Sequence, residues 1–194
     1  MSAAATTDPR ISRTERELRE AFLRLIETKS AYRVTVKELC HEAGINRATF
    51  YRHYQDMPDY IVGIGEHVAK ELAAYCQPAP TVMRGKNKTF YVRWFEFVAN
   101  NRHTFELLLG SNGTTEFRRQ LIDHGIAESE RLIRVTNYAT REGVSERDLI
   151  TYVVSAHVGL MEDWLDRGCK ETPEQMADEL IVFTAEGVYT AASA

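Results

Sequence analysis

The sequence predicts an all-α protein: an N-terminal three-helix head carrying a helix-turn-helix, then a larger helical body, about nine helices in all. Three observations predict it. Residues 35–57, TVKELCHEAGINRATFYRHYQDM, set cap, short helix, glycine turn, cap and short helix in succession. Apolar residues elsewhere recur at helical spacing, and no strand or hairpin signal competes. The 194 residues can bury a substantial core, either as one domain or as a head and body sharing a continuous helix.

Residues 1–9, MSAAATTDP, are small and polar with no apolar h-region, so they read as a disordered tail and not a signal peptide. Arg10, Arg13 and Arg16 follow. Leu18, Phe22, Leu25 and Ile26 recur at i, i+4, i+7 and i+8, which predicts an amphipathic first helix over 12–28 that closes the core of the head. Thr35 and Glu38 form a capping box, so a second helix starts at about Val36, with Val36, Leu39 and Cys40 on one face. Gly44 can take the left-handed conformation that ends it. Asn46 is a favoured N-cap, and a third helix runs from Arg47 to about Tyr54. With Phe50 inward and about 100° per residue, Ile45 and Tyr54 join it while Ala48 and Arg52 lie opposite. Thr49 and Tyr51 flank the outer face, and Arg47 reaches round from the first turn. Such a face suits a major groove: arginine pairs with guanine, a small apolar group meets a thymine methyl, and hydroxyls bond phosphates. The competing reading is a solvated polar face; the order of cap, turn and cap favours DNA.

The run AGINRATFYRHYQD resembles the signature of the TetR family of bacterial one-component transcription regulators. That pattern is Ala-Gly, Val or Ile, Ser or Asn, two free positions, Thr or Ser, Leu or Phe, Tyr, a free position, His or Tyr, then Phe or Tyr. The resemblance implies DNA contacts from Lys37, Arg47, Ala48, Thr49, Tyr51 and His53, the last two on phosphates; the helical wheel adds Arg52, and Asn46 opens the helix. It also implies a DNA-binding domain over 10–57 and an effector-binding, dimerising body over 58–194. The protein is then a cytoplasmic homodimer on a palindromic operator, usually a repressor, controlled by a small-molecule effector. Family members commonly carry a lysine at the start of the next helix, where this chain has Met57. That departure predicts a smaller phosphate footprint and a shallower salt dependence.

Charge adds modest support. The formal net of −4 argues against a nucleic-acid partner, but residues 1–57 carry 10 Lys+Arg against 8 Asp+Glu, a net of +2, and residues 58–194 carry 14 against 20, a net of −6. The head is the basic end.

Asp56 can cap a fourth helix with Pro58 in its first turn, running to about Cys76 before QPAPT. Gly63 and Gly65 lie inside it at a cost of up to about 1 kcal/mol each, which signals close packing or a soft spot. Residues 87–101 carry Phe90, Tyr91, Trp94, Phe95, Phe97 and Val98 on an aromatic helix. Gly110 and Gly113 bracket a turn after FELLL. A helix from about Thr114 to Glu142 turns Phe117, Leu121 and Ile122 inward, with a break near Gly125 left open. Ser145 and Asp148 start the next, whose run LITYVVSAHVGLM (149–161) is too short and polar to span a bilayer. It extends to Trp164 and Leu165 and stops at Gly168. Thr172, Pro173 and Gln175 cap the last helix.

Tyr152, Val153, His157, Leu160, Met161, Trp164, Met176, Leu180 and Phe183 make the final two helices very apolar. They read as a dimer interface forming a four-helix bundle with a second copy, against the competing reading of burial within one chain. The segment VGLMEDWLDRGCKETPEQMADEL (158–180) resembles the C-terminal part of the family branch that includes dihydroxyacetone-kinase regulators. Tyr91, Trp94, Phe95, Phe117, Leu121 and His124 are candidates to line an effector pocket, with Tyr152 and His157 weaker, or else they are core.

Enzymatic readings find little. Glu38 to His41 spells a single E-x-x-H, where a di-iron bundle needs two and further carboxylates, so no metal or other cofactor is expected. Cys40, Cys76 and Cys169 are far apart and odd in number, as reduced thiols of a cytoplasmic protein are. Gly63 and Gly65 are only a fragment of a dinucleotide fingerprint, and no catalytic constellation is present. Two functions remain: a transcription regulator, or an adaptor or coactivator of the same fold acting through a protein partner. Lys37, Arg47 and Arg52 discriminate, since an adaptor has no use for cations there.

Overall fold

Helix boundaries fall where the caps put them. In the computed structural model, which describes residues 9–76, 87–136, 140 and 142–186, the nine α-helices of the described residues are α1 (Pro9–Ile26), α2 (Val36–Ala43), α3 (Arg47–His53), α4 (Met57–Cys76), α5 (Lys88–Asn100), α6 (Arg102–Leu109), α7 (Thr115–Thr136), α8 (Glu146–Asp166) and α9 (Pro173–Ile181). A 3-10 turn, Ala31–Arg33, precedes α2, and a π turn, Val182–Glu186, continues α9. No strand occurs among the described residues, and no described helix is long and apolar enough to cross a membrane.

Thr35 Oγ1 accepts from Glu38 N at 3.3 Å while Thr35 N donates to Glu38 Oε2 at 3.0 Å, closing the capping box of α2. Gly44 sits at φ 67, the left-handed cap that an L side chain adopts only with strain. Asn46 caps α3, Asn87 caps α5, Ser145 caps α8, and Thr172 with Gln175 closes a second capping box on α9. Two expectations change. The first helix begins at Pro9, a favoured N1 residue, so only residues 1–8 of the expected tail lie outside the described residues. α7 runs unbroken through Gly125, where a Cβ would come within 2.7 Å of Val154 Cγ1; the glycine lets α8 approach. Its expected end by Glu142 falls partly outside the described residues, which resume as turn before Ser145.

α1, α2 and α3 form the head, and α4 leaves it to pack on α5 and α7. α8 lies on α7, α6 touches α1, α7 and α8, and α9 lies along α5. One core runs through both parts. In the head, the Tyr60 ring of α4 meets Phe22 edge-on at 5.4 Å and Tyr54 at 5.0 Å. In the body, Phe95 meets Trp164 at 5.2 Å and Phe105 meets Phe117 at 5.7 Å. Aromatic pairs of this geometry add about 0.5–1.5 kcal/mol beyond the area they bury.

The apolar residues of α8 and α9 go mostly inward. Met161, Trp164, Met176 and Leu180 are buried within the chain, Trp164 also donating from Nε1 to Glu171 O at 3.1 Å. α9 spends its apolar stripe on α5, so for these four residues burial within one chain wins over a partner surface. Leu160 is half-buried against the same core. Tyr152 and Phe183 remain exposed, at 64% and 43%.

Candidate nucleic-acid interface and body cavity

α3 is fixed at both ends. Asn46 Oδ1 accepts from Ala48 N at 2.9 Å at its start, and its C-cap Tyr54 packs against Phe50 and Tyr60 at its end. Phe50, fully buried, points into the head as the helical wheel requires. The outer face then presents Arg47, Ala48, Tyr51 and Arg52, with Thr49 partly covered and Lys37 exposed on α2. Tyr51 is 56% exposed although its ring edge rests on Phe50.

Ion pairing divides the cations of the head. Arg13 bonds Glu17 at 2.7 Å, Arg19 bonds Glu71 at 2.9 Å, Arg24 bonds Glu42 at 2.7 Å and Lys29 bonds Glu38 at 2.7 Å. Lys37, Arg47 and Arg52 have no such partner among the described residues, and neither do Arg16 and Arg33. Two expected members serve differently: the Asn46 carbonyl oxygen is committed to the cap, and His53 is half-buried with Nε2 enclosed and unpaired among the described residues. Met57 is buried in the core at the start of α4 and offers no charge to a phosphate.

The body contains a cavity of about 400 Å³ between α4, α5, α7 and α8, with Thr184 of the π turn on its wall. Tyr91, Trp94, Leu121 and His124 line it, as do His157 and Val153. Phe95 and Phe117 do not; both are fully buried in the core. The wall also takes Leu72, Leu132 and Val154, which the aromatic stripe of α5 could not signal because they come from α4, α7 and α8. His157 Nε2 lies 3.1 Å from Thr184 Oγ1, and burial pushes its pKa down from 6.5 to about 4, so the ring is neutral. His124 Nδ1 lies 3.0 Å from Gln120 O.

Gln120 links this wall to the head. Its Nε2 donates to Val62 O of α4 at 2.9 Å. One residue on, Gly63 packs so closely on the Tyr54 ring that a Cβ would lie 2.9 Å from Cε1. The two glycines of α4 therefore mark close packing. The head also touches the α6–α7 connection, where Ala31 N donates to Asn112 O at 2.7 Å, and His103 Nε2 lies 3.2 Å from Glu27.

Cys40, Cys76 and Cys169 are free, and no group of potential ligands is placed to hold a metal among the described residues.

Residues 18–59 match the family described as bacterial regulatory proteins, tetR family, and residues 87–185 match one described as transcriptional regulator C-terminal region. The fold is shared with the fatty acid degradation regulator FadR from Bacillus halodurans, which is 14% identical, with 94% of this chain and 98% of that one covered and a TM-score of 0.64. It is shared likewise with the dihydroxyacetone kinase operon activator DhaS, at 14% identity, 89% and 94% coverage and a TM-score of 0.60. A third is SmeT, repressor of the Stenotrophomonas maltophilia multidrug efflux pump SmeDEF, at 15% identity, 89% and 88% coverage and a TM-score of 0.59. At these identities the likeness concerns the fold. The helix-turn-helix at residues 35–57 and the family matches over 18–59 and 87–185 lead to one conclusion: the chain belongs to the TetR family of bacterial transcription regulators.

Proposed function

We propose that the protein is a homodimeric repressor that binds a palindromic operator through α3 and is released when a small molecule enters the body cavity. The observation that carries the reading is the set of unpaired, exposed cations Lys37, Arg47 and Arg52, grouped with Ala48 and Tyr51 on the two helices of the motif. Arginine pairs bidentately with guanine, so these two arginines read bases while Tyr51, Thr49 and His53 bond phosphates.

Dimerisation uses what α8 leaves exposed. Tyr152 is open, and a Cβ on Gly159 would meet nothing within 4 Å. Residues 152, 156, 159 and 163 share one outward stripe at helical spacing, narrower than the apolar content of α8 and α9 suggests. A twofold pair places two heads on half-sites about one helical turn or a multiple apart. The cavity couples to the heads through Gln120 and α4, so a ligand preferring one α4 position shifts the spacing of the heads. Work on DNA agrees with a cytoplasmic protein carrying three free thiols.

Fluorescence anisotropy with a selected operator tests it. Arg47→Ala or Arg52→Ala should cost about 1–3 kcal/mol and relax base preference at one half-site position, while Tyr51→Phe weakens all sites alike. Unchanged binding in all three variants assigns the wrong face.

A further inference from the structure

A second, polar cleft of about 230 Å³ lies between α1, the first helix of the head, and α4, the helix that leaves it. Part of its charge is committed. Arg19 Nη1 donates to Glu71 Oε2 at 2.9 Å, and His67 Nε2 lies 3.2 Å from Glu71 Oε1, so both oxygens of that carboxylate are taken. Two opposite charges on the same wall are not: among the described residues neither Glu15 nor Arg16 has an ion pair. Gly63 and Ile64 supply the apolar part of the lining.

Two tyrosines complete the cleft. Tyr60 is 2% exposed, and its hydroxyl is enclosed with no hydrogen-bond partner among the described residues. Leaving such a group unpaired is costly. The Tyr54 ring stands edge-on to it at 5.0 Å. The surroundings of the two hydroxyls differ in sign. Burial, and then the charges of Glu15 and Asp59, push Tyr54 up to about 12, whereas Tyr60, held well above its ordinary value by burial and by Tyr54, feels the opposing charge of Arg19. Both stay neutral, and a neutral phenol donates as well as accepts. The cleft has room for far more than one water, which needs about 10–15 Å³ of such space, yet it falls short of the roughly 300–1,000 Å³ of drug-sized ligand sites.

We propose that this cleft binds a small zwitterion, with its carboxylate on the Arg16 guanidinium and the Tyr60 hydroxyl and its ammonium on the Glu15 carboxylate and the Tyr54 hydroxyl. An anion alone would leave Glu15 unanswered beside it, and a cation alone would leave Arg16 so. The site shares no lining residue with the body cavity, so it stands whether or not that cavity takes an effector. Its occupant joins α1 to α4.

An NMR titration of the full chain tests it with 4-aminobutyrate, two shorter zwitterions, glycine and β-alanine, and three four-carbon counterparts, butyrate, butylamine and 1,4-butanediol. Ring-proton shifts of Tyr54 and Tyr60 report the place. The best zwitterion should bind about tenfold more tightly than any of the three counterparts, the worth of one charged hydrogen bond. Glu15→Gln and Arg16→Gln, changes on the surface of α1, should each weaken it by about the same factor. Tyr60→Phe should also weaken it while melting no lower than the wild type, because it removes an unpaired buried hydroxyl. The comparison of probes on the wild type needs no variant and stands if one fails to fold. A singly charged or uncharged probe that binds as tightly as the best zwitterion overturns the proposal. So does zwitterion affinity unchanged in both Glu15→Gln and Arg16→Gln, binding that leaves the Tyr54 and Tyr60 shifts unmoved, or binding of none of the six.

Discussion

Gln120 of α7 fills the space that Gly65 of α4 leaves: a Cβ on Gly65 would lie 1.7 Å from Gln120 Oε1, while Gln120 Nε2 donates to Val62 O at 2.9 Å. The helix leaving the head is thus hydrogen-bonded as well as packed to α7, which lines the cavity. Gly65→Ala should therefore cost about 1–3 kcal/mol by overpacking, despite the better helix propensity of alanine. In a Gln120→Ala background the same change becomes neutral or mildly stabilising. Denaturant melts of the four proteins of this cycle check the sign reversal.

Lys29 first, and then the Thr35 hydroxyl and amide, hold the Glu38 carboxyl down from its ordinary 4.5 to about 2. A carboxyl with a depressed folded-state pKa contributes stability that is present above its unfolded value and lost as pH falls through the folded one. The head should thus lose stability between pH 4.5 and about 2, and Glu38→Gln should flatten that limb of the melting-temperature profile. A profile unchanged in Glu38→Gln excludes the capping box as its source.

His157 works in a different window. Burial depresses its pKa from 6.5 to about 4, so the unfolded chain takes up the proton first. Its contribution is intact above pH 6.5 and fades as pH falls toward 4. His157→Phe should remove this slope, and the ring proton shifts in an NMR titration should stay those of neutral imidazole at pH 6.

The outward stripe of α8 bears on assembly. Gly159→Arg improves helix propensity and its Cβ would meet nothing within 4 Å, so the monomer should be at least as stable as the wild type. Sedimentation should nevertheless move from dimer to monomer, and operator binding should fall with it. A stable dimer in this variant places the interface elsewhere.

Local chemistry was legible in the sequence because each signal acts on its neighbours in the chain. Thr35 with Glu38, Gly44, Asn46 and Thr172 with Gln175 each fix a boundary through bonds spanning a few residues. The outward set on α3 followed from one inward residue, Phe50. Long-range packing was not legible. Periodicity marks Trp164, Met176 and Leu180 as apolar without saying that α5 covers them, and it cannot separate Tyr91 and Trp94 on the cavity wall from Phe95 in the core. The glycines of α4 left two readings open until Tyr54 and Gln120 were seen against them.

Selection of random double-stranded DNA by the purified chain is the most direct test of the central claim that α3 reads an operator as a dimer. The enriched sequences should form an inverted repeat with half-sites about one helical turn, or a multiple, apart, and Arg47→Ala should lose preference at one symmetric pair of positions. Absence of enrichment, or an enriched site without twofold symmetry, contradicts it.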